Sequence, residues 1–144
     1  MEKNITTEAS ITIEANSSKV WEAIINPVSI RKYLFGTNVI SDWEEGSDIT
    51  YEGSYEGKRY KDKGKILKLM PEEVFQSTYW SSMGGKEDLP ENYNTVTYRL
   101  KPIKEMTLVT ISQDNIRSEQ EKEHVTENWK NVLKALKKLV EEQR

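Results

Sequence analysis

Cysteine is absent from the 144 residues, and histidine occurs once, as His124. Without thiols there is no disulfide, no thiolate nucleophile and no Cys-ligated metal or cluster. A single imidazole excludes any site needing two, the helical metalloprotease motif among them. An excess of positive charge is missing too. The net charge of −3 provides no basic field for nucleic acid or an anionic membrane surface. No apolar run approaches the length of about 20 residues that spans a bilayer, and the opening MEKNITTEASITIEAN contains none, so the expected location is cytoplasmic. Two sequons, Asn4-Ile5-Thr6 and Asn16-Ser17-Ser18, mean nothing without secretion.

Apolar residues are also scarce, at 35% of the chain against about 45–50% in an ordinary globular protein. The length predicts one domain, residues 1–144, with a core sustained without staples. What the chain does have is charge, at 31%, and amphipathic aromatics, with four Trp and seven Tyr against two Phe. Tyr and Trp combine an apolar body with a polar tip, which suits the wall of a cavity as well as a core.

Residues 5–15 alternate through Ile11 and Ile13 and predict a half-buried strand. Asn16-Ser17-Ser18 offers N-cap oxygens ahead of a helical pattern at Val20, Trp21, Ile24 and Ile25. Asn26-Pro27 stops that helix. Ile30, Tyr33 and Leu34 predict a second short helix ended by Gly36. The period then switches to two. Ile49, Tyr51, Gly53 and Tyr55 share one strand face, and Glu56-Gly57-Lys58 is a hairpin signal. In the next strand Tyr60, Gly64 and Ile66 lie opposite Arg59, Lys61, Lys63 and Lys65, a row read as solvated exterior that blunts edge pairing. Further strands follow over 74–81, 93–101 and through Leu108, Val109 and Ile111. Between them Ser82–Asn92 is a long irregular stretch with paired glycines, read as a flexible gate. Ser118 with Glu121 forms a capping box for a helix over 119–142, whose apolar stripe runs through Val125, Trp129, Val132, Leu136, Leu139 and Val140. The order predicts an α+β fold, a curved antiparallel sheet of about six to seven strands around the long C-terminal helix. Such a sheet with so few large aliphatics leaves a cavity beneath the helix.

Several segments in order carry a family resemblance: Val20-Trp21-Glu22-Ala23-Ile24, Ile30 to Gly36, Ser41-Asp42-Trp43 before Glu45-Gly46-Ser47, Gly57-Lys58 with Tyr60 and Asp62-Lys63-Gly64, Leu69-Met70-Pro71, Ser77 to Ser81, and Trp129 with Leu133 and Leu136. From about residue 10 to 140 the chain resembles the START-like, or helix-grip (SRPBCC), superfamily. Within it, the chain is similar to the activator of heat-shock-protein-90 ATPase homologue family. The resemblance implies a helix-grip fold. It also implies a binder of small hydrophobic molecules, with cyclase-like enzymes and co-chaperones as the other activities of such proteins.

Candidate ligand-contacting residues are Trp43, Tyr51, Tyr60, Trp80, Tyr98, Asn128 and Trp129. Strand alternation sends Tyr79 and Trp80 to opposite faces, so only one points inward, and the sequence leaves open which. His124 lies off the apolar stripe and reads as a surface residue; no Ser-His-Asp arrangement follows from spacing. Gly84-Gly85-Lys86 lacks the upstream glycine of a phosphate loop. The expectation is therefore a carrier of a small apolar or amphipathic molecule, with no cofactor, no metal and no catalytic residue assigned. The alternatives are a cyclase- or isomerase-like enzyme using the same cavity, or an interaction module whose partner is a chaperone.

Overall fold

In the computed structural model, which describes residues 4–142, β1 (Ile5–Ile13) leads into two short helices, α1 (Ser17–Ile25) and α2 (Pro27–Tyr33). Six further strands follow: β2 (Asn38–Ser41), β3 (Asp48–Tyr55), β4 (Lys58–Met70), β5 (Val74–Tyr79), β6 (Asn94–Ile103) and β7 (Met106–Ile116). The chain closes with α3 (Glu119–Glu142). The sheet order is β1-β7-β6-β5-β4-β3-β2, and every neighbouring pair is antiparallel. Consecutive hairpins make most of this sheet. The exception is β1, which returns beside β7 to complete the surface under α3.

Local signals account for the boundaries. The Asn16 side chain accepts from Lys19 N at 3.0 Å and caps α1. Asn26 ends α1 in extended conformation and caps α2 by accepting from Val28 N at 2.8 Å. Pro27 then serves at the first helical position, where its missing N–H costs nothing. The β3–β4 hairpin turns on Glu56 and Gly57, both at positive φ (49° and 80°), as a two-residue turn between twisted strands requires. At the start of α3, Glu121 N donates to Ser118 Oγ at 3.1 Å. The Glu121 carboxylate reaches past the cap to Arg117 N at 2.8 Å, so the expected capping box is shifted by one residue.

The core lies between the concave sheet face and the helices. Val132, Leu133, Leu136 and Val140 of α3 are buried against Ile13, Ile24, Ile30, Val109 and Ile111, each such side chain contributing about 1.5–3 kcal/mol. Lys137 Nζ donates to Thr12 O at 3.0 Å, and Glu14 N donates to Glu141 Oε2 at 2.8 Å. These contacts hold the C-terminal half of α3 along β1. The N-terminal half passes over the middle of the sheet without filling the space beneath it.

Strand β2 is the element without a periodic signal in the sequence. It has four residues, of which Val39 alone is buried.

Candidate functional site

The space beneath the first turns of α3 is an open cleft of about 690 Å³. Its walls follow from strand alternation. Tyr51 of β3 pairs with Asp62 of β4, Ser77 of β5 with Val96 of β6, and Tyr79 with Asn94. Val96 in turn pairs with Gln113 of β7, so all of these residues share the concave face. Opposite them stand Glu121, His124, Val125, Asn128, Trp129 and Val132, spaced three and four apart on one side of α3. The mouth carries exposed apolar groups, namely Phe35, Tyr55 and Met83. Phe35 adopts φ 52° immediately before Gly36 at φ 94°, which turns the chain sharply out of α2.

The floor is polar and organised around Asp62, which is 6% exposed. Its Oδ1 accepts from Ser82 N at 2.9 Å and Ser82 Oγ at 3.2 Å. Its Oδ2 accepts from the Tyr79 hydroxyl. Burial raises the Tyr79 hydroxyl well above the usual tyrosine range, and the Asp62 charge raises it further. Tyr51 meets Tyr79 edge to face at 5.6 Å; burial pushes its hydroxyl upward too, against the lowering effect of Ser77. Tyr98 is raised by burial and Tyr51. All three hydroxyls therefore stay protonated at neutral pH, which suits them to hydrogen bonding and not to acting as phenolate bases.

A line of rings runs from the cleft into the protein. Trp129 packs edge to face on Tyr98 at 6.2 Å, while Tyr98 meets Phe75 at 5.6 Å and Phe75 meets Trp43 at 5.8 Å, both with tilted rings. Trp129 Nε1 donates to Gln113 Oε1 at 2.9 Å, so the indole satisfies its polar tip within the wall. Tyr60 stands at the mouth. Its hydroxyl lies 2.6 Å from Thr37 Oγ1, and its ring crosses Gly53, where a Cβ would lie 2.4 Å from the Tyr60 oxygen.

Of the seven residues expected from the sequence, Tyr51, Tyr60, Tyr98, Asn128 and Trp129 line this cleft, and Trp80 touches it at the rim. Trp43 does not reach it. It sits at φ 56° in the loop after β2, where it packs on the far side of Phe75. The Tyr79/Trp80 choice resolves in favour of Tyr79. Trp80 pairs with Lys63, whose Nζ lies 5.9 Å from the indole centroid, and Trp80 Nε1 donates to Glu87 O at 3.0 Å. The sequence reading also passed over Asp62. Alternation between Tyr60 and Gly64 places it inside, but the surrounding lysines give that segment the texture of a surface strand.

The gate expected over Ser82–Asn92 is largely tied down. Asp88 bridges Lys63 at 2.5 Å and accepts from the Tyr93 hydroxyl at 2.5 Å, while Asn92 Nδ2 donates to Glu87 O at 2.9 Å. Lys86 reaches across the cleft to Glu121 at 3.5 Å. Lys61, Lys63 and Lys65 point outward toward Glu52, Asp88 and Asp48. Among the described residues no three His, Asp or Glu side chains converge on a metal position. No helix among them is long and apolar enough to cross a membrane.

A long helix gripped by a curved antiparallel sheet, with two short helices after the first strand, defines a helix-grip protein of the START-like class. The chain belongs to the family described as activator of Hsp90 ATPase homolog 1-like protein, whose model matches residues 14–141. It is similar to ChR145 from Cytophaga hutchinsonii, with 42% identity over 99% of this chain and 97% of that one, at a TM-score of 0.85. CalU16 from Micromonospora echinospora shares the fold at 21% identity, over 94% of this chain and 73% of that one, with a TM-score of 0.74. The Aha1 dimer from Colwellia psychrerythraea does so at 18% identity, 94% and 96% coverage, and a TM-score of 0.75. Among curated proteins none matches the chain. Membership of this family fits a ligand-binding or cyclase-like role.

Proposed function

We propose that the chain binds a small, largely apolar molecule in the cleft between the sheet and α3 and holds it without transforming it. The observation that supports this reading is the cleft itself, about 690 Å³, within the range of about 300–1,000 Å³ in which small-molecule sites fall. The rings of Tyr51, Tyr79, Tyr98 and Trp129 offer apolar area, and the tyrosine hydroxyls orient a few polar atoms. Raised hydroxyl pKa values at Tyr51, Tyr79 and Tyr98 disfavour a phenolate base in the cleft, and the cyclase-like reading stands second.

Native mass spectrometry of freshly purified protein tests the proposal, together with thermal melts against sterols, flavonoids, polyketides and alkyl chains. A ligand at 100 times its Kd adds about 2.7 kcal/mol, or roughly 5–10 °C in Tm at this chain length. A panel that moves neither Tm nor tryptophan fluorescence refutes it. Family membership also fits a chaperone-related role. An ATPase assay with the cognate chaperone decides that reading, which fails without stimulation at micromolar concentrations.

A further inference from the structure

Among the described residues, one charge in the cleft has no counterion. Two carboxylates, Asp62 and Glu121, and one ammonium, Lys86, line it. Lys86 and Glu121 neutralise each other at 3.5 Å. Asp62 has no salt bridge to any described residue. Its neighbours Lys61 and Lys63 are directed to the opposite face by strand alternation, where they meet Glu52 and Asp88. His124, the other ionisable group on the helix wall, is exposed at the opening.

Asp62 is nevertheless buried, and each of its three partners is a neutral donor: Ser82 N, Ser82 Oγ and the Tyr79 hydroxyl. Two oxygens with about four lone-pair sites between them retain room for one more donor. Taking a carboxylate out of water without an opposite charge is costly. A purely structural staple between β4 and the 81–82 turn would need only a neutral acceptor at this position. The Asp62 charge is felt by the ligand-facing groups, because it contributes, after burial, to raising both Tyr51 and Tyr79.

On the reading that the cleft holds a small molecule, we infer that its ligand is an amphipathic amine, with an ammonium group meeting Asp62 and an apolar body among Tyr98, Val96, Val132 and Trp129. A cationic donor on a buried carboxylate makes a charge-assisted hydrogen bond, about twice as strong as a neutral one. A carboxylate headgroup in the same place would face Asp62 uncompensated. Fatty acids are therefore disfavoured even though their chains would fit.

The test is isothermal titration of the full chain at pH 7 with decylamine, decanol and decanoic acid, which share one apolar body. The expected order is amine, alcohol, acid, with at least a tenfold gap in Kd between the first and the last. In Asp62→Asn, which keeps an acceptor for Ser82, the ratio of amine to alcohol affinity falls to about one. If Asp62→Asn does not fold, the unaltered chain decides: saturating decylamine must shift the amide signals of Asp62 and of Ser82, which is hydrogen-bonded to it, and decanol must leave them in place; unmoved amides with bound decylamine overturn the assignment. Equal affinities, or tighter binding of the acid, overturn the amine assignment and leave the cleft reading standing. Binding of none of the three overturns the assignment, while the cleft reading falls only if the sterol, flavonoid and polyketide panel fails as well.

Discussion

Replacing Gly53 by alanine should destabilise the protein through one side chain, Tyr60. Gly53 and Tyr60 are paired across β3 and β4, and the Tyr60 ring lies where a Gly53 side chain would stand, with its oxygen 2.4 Å from the new Cβ. Alanine in a strand interior is worth about 0.5–1 kcal/mol over glycine when nothing opposes it. Here the ring must swing away. That motion forfeits the Tyr60–Thr37 hydrogen bond of 2.6 Å, worth about 0.5–1.5 kcal/mol. It also forces the ring off its rotamer, at a cost of about 0.5–1.5 kcal/mol. The net loss is about 1 kcal/mol, readable in urea denaturation with an unchanged m-value. In a Tyr60→Ala background the obstacle is gone, and the same substitution should stabilise by about 0.5–1 kcal/mol. The sign reversal is the signature, a coupling of about 2 kcal/mol in a double-mutant cycle. An equal cost in both backgrounds would refute the reasoning and separate Tyr60 from Gly53.

Gly64→Ala meets a harder obstacle, because its Cβ would lie 1.8 Å from the backbone oxygen of Thr78. A loss above about 3 kcal/mol is expected, unrelieved by Thr78→Ala, and rescue by that second change would contradict the account. Asn115 sits at φ 54° and donates to Glu91 O at 2.8 Å and Tyr93 O at 3.0 Å. Asn115→Gly should therefore melt higher than Asn115→Val, by about 2 kcal/mol in stability, since a β-branched residue resists the left-handed region. Tyr33, Tyr51, Tyr79 and Tyr98 are all raised by burial from 10.0, so above pH 10 the unfolded state loses protons that the folded state keeps. Their stabilising contribution is intact below pH 10 and falls as pH rises, by about 5 kcal/mol per pH unit for the four together. Tyrosinate absorbance from these four should thus appear together with loss of the circular dichroism signal, and their ionisation in a still folded protein would contradict it.

Period and caps made the architecture legible. The switch from helical spacing at Val20–Ile25 to alternation at Ile49–Tyr55 separates helices from sheet, and Ser118 with Glu121 marks where α3 begins. Strand β2 escaped because four residues with one buried side chain, Val39, carry too little periodicity to register. The cleft was half legible. Tyr51, Tyr60 and Tyr98 lie on inward faces that alternation assigns, and Trp129 lies on the apolar stripe of α3. Trp43 misled because a loop residue has no periodic face, and its position follows from a left-handed backbone and from Phe75. Asp62 was hidden in plain alternation: it shares the face of Tyr60, Gly64 and Ile66, but a carboxylate set between lysines has the composition of a surface residue. The choice between Tyr79 and Trp80 required the pairing of Lys63 with Trp80, a long-range register no local pattern encodes.

The central claim, that the space under the first turns of α3 receives a ligand, is tested most directly by the four indole N–H signals in a ¹⁵N correlation spectrum. With the tightest-binding decyl probe at saturation, the Trp129 indole and the amides of Tyr51, Tyr79 and Val96 should shift. The Trp21 and Trp43 indoles, one on the buried face of α1 and the other behind Phe75, should stay in place. Shifts at Trp43 with Trp129 unmoved, or a spectrum unchanged by these probes and by the sterol, flavonoid and polyketide panel, would contradict the account.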